Sequence, residues 1–255
     1  MAESSCDTVL ILSGDHIYKQ DYRDLLRFHE EKKADLTVSV MNVPPEETFR
    51  FGIMTTDEDQ RIVKFAEKPK KSDSTLASMG IYVFNMEFLL KHLEEDGADP
   101  NSSHDFGKNL IPKMVKNDDV FAYPFEGYWV DVGTIQAYWE TSLAMVAEKP
   151  ELDLYDPKWV IHTRSEERPA VKLGPAGQSR DSLICNGCVI DGTVINSVLS
   201  PGVRVERGAL VSNSVIMNDT VVRAGAIVDK CVLDKEIIVG EGAKVGHGDD
   251  MTPNR

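Results

Sequence analysis

Apolar and polar positions along this chain follow two regimes, one mixing strand and helix periods and one advancing by six. Thr8-Val9-Leu10-Ile11-Leu12 is a continuous apolar run of β-formers closed by Ser13-Gly14-Asp15, which predicts a parallel central strand buried on both faces. Over 21–33, Leu25, Leu26 and Phe28 stand among charged residues at helical spacing and predict an amphipathic helix. Strand character returns over 36–43, so the chain opens on a βαβ unit. Residues 51–56 and 61–65 flank the polar break Asp57-Glu58-Asp59-Gln60 and read as a hairpin. A strand over 78–84, helices over 86–95 and 106–116, and strands over 120–125 and 128–132 follow. Thr134 is placed to cap a last helix running to about residue 147.

Over 148–182 the periodicity dissolves, and Pro150, Pro157, Pro169 and Pro175 interrupt any long helix. Beyond it the period becomes six. Val203, Ala209, Val215, Val221, Ile227, Leu233, Val239 and Val245 are all apolar. At a background of 42% apolar residues, eight such hits at one phase arise by chance in roughly one window in a thousand, so the repeat is a property of the chain. Gly202, Gly208, Ala226, Gly240 and Gly242 between the apolar positions suit a solenoid with one inward side chain per flat face. Residues 219–236 also suit an antiparallel strand, but no turn dipeptide breaks the run at hairpin spacing, which favours the β-helix. The expected organisation is a domain over 1–147, a connection over 148–182 and a hexapeptide-repeat domain over 183–255. Exposed coil edges predict docking or oligomerisation.

Composition narrows the function classes. A formal charge of −14 argues against the clustered Lys and Arg that nucleic acids and anionic membranes demand, while leaving room for a small phosphorylated ligand held by one or two placed cations. The start, Met1-Ala2-Glu3-Ser4-Ser5-Cys6-Asp7, has neither a basic stretch nor an apolar core, and no run approaches the roughly 18 apolar residues of a membrane span. The expectation is a cytoplasmic protein with no nucleic-acid and no membrane partner. Four scattered cysteines, Cys6, Cys185, Cys188 and Cys231, do not form a disulfide framework.

Candidate chemistry sits at strand ends. Gly14-Asp15 closes the first strand, and ligands of open α/β sheets bind beyond such ends; a capping role for Asp15 is the alternative. Asp131, in Tyr128-Trp129-Val130-Asp131-Val132-Gly133-Thr134, ends another short strand. Two carboxylates at adjacent strand ends suit one hard divalent cation that also binds phosphate oxygens, although Asp131 could equally cap the next helix with Thr134 as rival. Lys68, in Phe65-Ala66-Glu67-Lys68-Pro69, stands where Pro69 stops the ladder and aims a point charge at a phosphate, or is simply solvated beside Lys70 and Lys71. Asp105 suits sugar hydroxyls with Phe106 beside a ring, and helix capping by Ser103 or Asp105 is the plainer account. Cys185 and Cys188 lack the two further ligands of a structural zinc site, His247 being the nearest other candidate, and small cysteines packed in coils are the better account.

Together these pieces resemble the glucose-1-phosphate adenylyltransferases, also called ADP-glucose pyrophosphorylases, of bacterial type. The matching stretches are Ser13-Gly14-Asp15-His16-Ile17-Tyr18-Lys19, Glu67-Lys68-Pro69, Ala77-Ser78-Met79-Gly80-Ile81-Tyr82-Val83-Phe84, Ser102-Ser103-His104-Asp105-Phe106-Gly107-Lys108, Tyr128 to Thr134 as quoted above, and Glu151-Leu152-Asp153-Leu154-Tyr155-Asp156. They occur in the family's order. Glu-Lys-Pro and the Asp-Val-Gly-Thr piece are common to many sugar nucleotidyltransferases, whereas the stretches around Asp105 and Asp153 are closer to the ADP-glucose branch. The resemblance implies an α/β fold, with a partial nucleotidyltransferase-like domain on a mostly parallel sheet followed by a left-handed parallel β-helix of hexapeptide repeats. It implies formation of ADP-glucose and pyrophosphate from ATP and glucose 1-phosphate for glycogen synthesis, Mg²⁺ as cofactor, and a homo-oligomer, tetrameric in the family, under allosteric control. By motif, Asp15 and Asp131 would hold the metal and Lys68 the sugar phosphate, these three forming the catalytic set. Glu67, Ser78, Gly80, Tyr82, Asp105, Phe106 and Trp129 would line the glucose pocket.

The family's Gly-Gly-x-Gly-x-Arg-Leu loop, which cradles the ATP phosphates through backbone N–H groups, has no counterpart in the sequence. The expectation is therefore a chain lacking roughly the first hundred residues of a family member, a span comparable to a small domain. The close over 246–255 has no evident capping element, which extends the same expectation to that end. Two other readings stand beside the enzyme: a regulatory subunit that binds sugar phosphate without turnover, and a hexapeptide acyltransferase with His247 as general base.

Overall fold

A computed structural model describes residues 6–163 and 166–246; His247 and the rest of the close lie outside the described residues. The described residues group into two compact units that cut across chain order, one of residues 6–14 and Lys19–Gly127, the other of Asp15–Tyr18 and residues 128–246. No helix among them is long and apolar enough to cross a membrane.

The first unit is built on one sheet. In chain order, and counting β2, β8 and α4 of the second unit, β1 is Thr8–Ile11, β2 is His16–Tyr18, α1 is Tyr22–Lys32, β3 is Leu36–Asn42, β4 is Gly52–Thr56, β5 is Ile62–Glu67 and β6 is Leu76–Asn85. Then come α2 at Met86–Gly97, α3 at Ile111–Asn117, β7 at Val120–Pro124, β8 at Trp129–Asp131 and α4 at Ile135–Ala144. The sheet order is β5-β4-β6-β3-β7, with β1 also paired to β6. Leu36, Val38, Val40, Met54, Ile62 and Phe84 form its buried core against Leu89, Leu110, Ile111 and Met114. Asp21 caps α1 by accepting from the Arg23 N–H at 3.0 Å, and Leu25 and His29 are the residues it buries.

Two expectations are corrected here. The sheet is not mostly parallel: β3 and β7 are its one parallel pair, and β1–β6, β3–β6, β4–β5 and β4–β6 are antiparallel. Short connections such as the β4–β5 hairpin can join only antiparallel neighbours. Nor is β1 a parallel central strand buried on both faces. Among the described residues it pairs with β6 alone, its residues are half-buried, and Leu12 is 43% exposed. An apolar run reports a strand's side chains and says nothing of its direction or neighbours. β1 and β3 do run the same way, with β6 between them, so the helical crossover is present without direct pairing. The helix expected over 106–116 opens with a π turn at Phe106–Leu110 before α3. Pro112, in the first turn of α3, has no N–H to continue the α ladder.

The second unit contains a solenoid of parallel strands of about four turns. Its first strand is Lys172–Leu173, paired with Val189–Ile190, inside the stretch read from sequence as connection. Ile190, Val205, Val222 and Val239 stack in one column, Val194, Val211, Val228 and Val245 in a second, and Leu199, Ile216 and Leu233 in a third. Each step of the second column is 17 residues, one short of three hexads. Val205 to Val211, to Ile216, to Val222 advances by six, five and six, so the strict hexad slips. Val221 and Ile227 are half-buried, and their neighbours Val222 and Val228 fill the core. The short side turns through left-handed Asn196, Asn213 and Lys230 at φ 44°, 47° and 53°. Cys188 is buried in this core, its Sγ donating to the Ser200 carbonyl at 3.2 Å.

Candidate active site

Within the second unit, β2 pairs antiparallel with β8, setting His16 opposite Asp131, Ile17 opposite Val130 and Tyr18 opposite Trp129. The Val132 N–H extends the ladder to the Asp15 carbonyl at 2.9 Å. This two-stranded ribbon brings Asp15 and Asp131 together across 116 residues of chain. One ligand atom from each of Asp15, His16 and Asp131 lies within 4.8 Å of the others, the only such group among the described residues. Asp15 is 60% exposed and His16 is 11% exposed, with Nε2 3.6 Å from the Asp15 carboxylate. The His16 ring meets Trp129 edge to face at 5.0 Å. The capping alternatives separate cleanly: Asp21 caps α1, and Thr134 caps α4 by accepting from the Ala137 N–H at 3.1 Å. Asp131 accepts instead from the Gly133 N–H at 2.8 Å.

Gly133 has a second role in this geometry. A Cβ there would lie 2.9 Å from Asp131 Oδ1 and 3.2 Å from Asp15 Oδ2, inside ordinary van der Waals contact. Its missing side chain keeps the gap between the carboxylates open. α4, which starts just beyond, is fixed to the solenoid by Trp139, whose Nε1 donates to the Asn213 carbonyl at 2.8 Å. The ribbon and α4, expected with the first domain, group with the coils.

Most other predicted site residues lie in the first unit. Tyr82 and Phe106 stack with centroids 5.9 Å apart and planes 12° apart. The Ser78 hydroxyl lies 3.4 Å from the Tyr82 hydroxyl and accepts from the Gly80 N–H at 3.2 Å, with Gly80 at φ 66°. Burial raises the Tyr82 hydroxyl pKa above its ordinary value. Glu67 closes β5 half-buried, and burial pushes its carboxyl above the usual range, with Lys68 pulling the other way and Asp105 adding to the rise. Lys68 is exposed and held in the left-handed region at φ 45°, its N–H donating to the Phe51 carbonyl at 3.0 Å; a non-glycine there is strained. Asp105 is the N-cap of the π turn, accepting from the Lys108 N–H at 2.9 Å, so the plainer account of it holds as geometry. The loop before it is anchored on buried Asp96, which accepts from Ser102 at 2.6 Å and pairs with His104 Nδ1 at 2.9 Å. Those bonds hold the Asp96 carboxyl below its usual range.

Comparison with known proteins covers both parts of the chain in sequence order. Residues 1–148 match the model of the family described as nucleotidyl transferase. The chain belongs to the nucleotidyl transferase family. Residues 170–254 match a second model, the GlmU-like C-terminal hexapeptide. Among curated proteins, it is 52% identical over 206 residues to the glucose-1-phosphate adenylyltransferase of Geobacillus stearothermophilus, covering 80% of this chain and 53% of that one. The protein of the same name from Acetivibrio thermocellus is 52% identical over 202 residues, 79% and 47% of the two chains. That from Thermotoga maritima is 50% identical over 213 residues, 83% and 50%. The chain spans about half the length of the curated relatives it matches.

In this nucleotidyl transferase the candidate carboxylates and the aromatic pair stand in motifs of the sequence, and the parts that position them do not. β8 matches the short strand expected over 128–132, whereas β2 and its pairing with β8 have no sequence signal, because a three-residue strand carries too little pattern to register. Gly133, Gly107 and Gly52 were visible only as members of motifs; what their missing side chains leave room for depends on atoms distant in sequence.

Proposed function

We propose that this chain carries the sugar-phosphate and metal side of a glucose-1-phosphate adenylyltransferase, which joins ATP and glucose 1-phosphate into ADP-glucose and pyrophosphate for α-glucan synthesis. The observation that carries the reading is the Asp15–Asp131 pair held on one ribbon beside Gly133, in a chain 52% identical over 206 residues to a protein of that name. The donor set fits Mg²⁺, which is bound through one or two carboxylates plus phosphate and keeps several waters. An exposed Asp15 leaves space for those waters.

When bound, the cation supplies charge neutralisation at the reacting phosphates. Asp15 and Asp131 hold it, and His16 steadies the Asp15 carboxylate. Lys68 sets an ammonium toward the phosphate of the sugar. Glu67 accepts hydrogen bonds from sugar hydroxyls, Ser78 and Gly80 position Tyr82, and the Tyr82–Phe106 pair supplies a flat apolar wall, with Asp105 beside them. Positioning of this kind is the larger part of catalysis in phosphoryl-group chemistry. The same reading makes the protein cytoplasmic and homo-oligomeric.

The test is Mg²⁺-dependent pyrophosphate release from ATP and glucose 1-phosphate, with glucose 1-phosphate binding measured alongside by calorimetry. Turnover lost in Asp15→Asn without loss of fold supports the assignment. Turnover unchanged in that variant removes Asp15 from the chemistry. Sugar-phosphate binding with no turnover in the parent chain assigns it a binding role alone.

A further inference from the structure

Two glycines from different elements face the same carboxylate. Gly52 opens β4, and a Cβ there would lie 2.9 Å from Glu67 Oε2 and 2.6 Å from Phe65 Cζ. Gly107 stands in the π turn after Asp105, and its Cβ would lie 2.7 Å from Glu67 Cδ and closer still to Oε2. Neither glycine lies at positive φ, so backbone freedom does not explain them; the space does. Glu67 is thus confined between a strand and a turn, in the unit that also holds Tyr82 and Phe106.

We infer that Gly107 is a specificity-determining position, whose missing side chain leaves the slot that fixes the Glu67 carboxylate for hydrogen bonds from the hydroxyls of a bound hexose phosphate. This rests on the sugar-phosphate reading above and adds to it a residue that touches no ligand. The two glycines differ as probes. At Gly52 a methyl group runs into the Phe65 ring, which is packed and slow to yield. At Gly107 it meets only the far end of a flexible side chain, so the carboxylate gives way and the backbone does not. Alanine also costs less entropy than glycine in a helical turn. Gly107→Ala therefore displaces Glu67 while leaving the fold as stable as before, or more so.

The experiment uses the full chain and its Gly107→Ala variant, with glucose 1-phosphate and inorganic phosphate as calorimetric probes and ¹³C-labelled glutamate to follow the Glu67 carboxylate by NMR. The expected result is a Kd for glucose 1-phosphate weakened about tenfold or more, since a hydroxyl left without its half-buried partner loses the interaction. The Kd for inorganic phosphate and the Tm do not fall with it, and Glu67 titrates closer to an exposed carboxylate. A purely structural glycine would lower Tm and both affinities together, and that pattern overturns the inference. So does a Glu67 titration that does not move, which shows no slot. A Kd for glucose 1-phosphate within about twofold of the parent's, where the parent binds, shows a slot without a role in selection. A parent chain that binds no glucose 1-phosphate overturns the sugar-site reading itself, and the specificity role falls with it.

Discussion

Asp15 and Asp131 stand at the open end of a two-stranded ribbon, with Asp15 60% exposed, whereas Glu67 is confined between Gly52 and Gly107 and half-buried. The first site is open to water and the second is more enclosed. Two carboxylates of which one is exposed and one half-buried can share a hydrated cation with phosphate oxygens. A carboxyl whose burial raises its pKa is a poorer cation ligand and a better partner for neutral hydroxyls, because it surrenders less hydration on meeting them. In both places the space for the carboxylate is set by a missing Cβ. The lesson is that the same side-chain chemistry is directed to two tasks by how much solvent the backbone admits.

The largest effect that can break this contrast is Gly133→Ala. A methyl group in the gap between Asp15 and Asp131 should weaken Mn²⁺ binding, followed by electron paramagnetic resonance, by roughly 10- to 100-fold, the range seen when groups that orient metal ligands are altered. Unchanged Mn²⁺ affinity would mean that the two carboxylates do not act on one ion.

Trp139→Phe asks whether the ribbon's geometry depends on the coils. Losing the bond to the Asn213 carbonyl should cost about 1–2 kcal/mol in urea denaturation, since an acceptor is left without its donor. A smaller accompanying loss of Mn²⁺ affinity would sharpen the contrast, by tying the exposed site alone to the solenoid. No change in stability would remove Trp139 as the tie.

The smallest effect concerns Glu67 and pH. Its folded-state pKa is raised, chiefly by burial, so the native chain binds this proton more tightly than the unfolded chain does. Stability associated with Glu67 is then present in full below the unfolded pKa and lost as pH rises toward the folded one. Glu67→Gln removes that loss, so its stability relative to the parent should grow between about pH 4 and pH 7. A constant difference across that window would mean that Glu67 is solvated like Asp15, and the contrast would collapse.

By itself the sequence determined the elements and the family. Helix α1, the β4–β5 hairpin, β6, α2 and β7 were legible because each is long enough to show its period, and the cap at Thr134 because its chemistry is local. Asp15, Lys68 and Asp131 stood out as candidates because they sit at strand ends near Gly or Pro, and the structure brings the two carboxylates together. The sixfold repeat announced a solenoid, though its true step of 17 residues was hidden, since every apolar residue scores alike whether it or its neighbour points inward. Only the tertiary structure decided that β1 and β3 flank an antiparallel β6, that the carboxylate ribbon groups with the coils, and that Gly133 and Gly107 are clearances. Strand direction, unit membership and empty volume are relations between residues far apart in the chain, and a period read along the chain carries none of them.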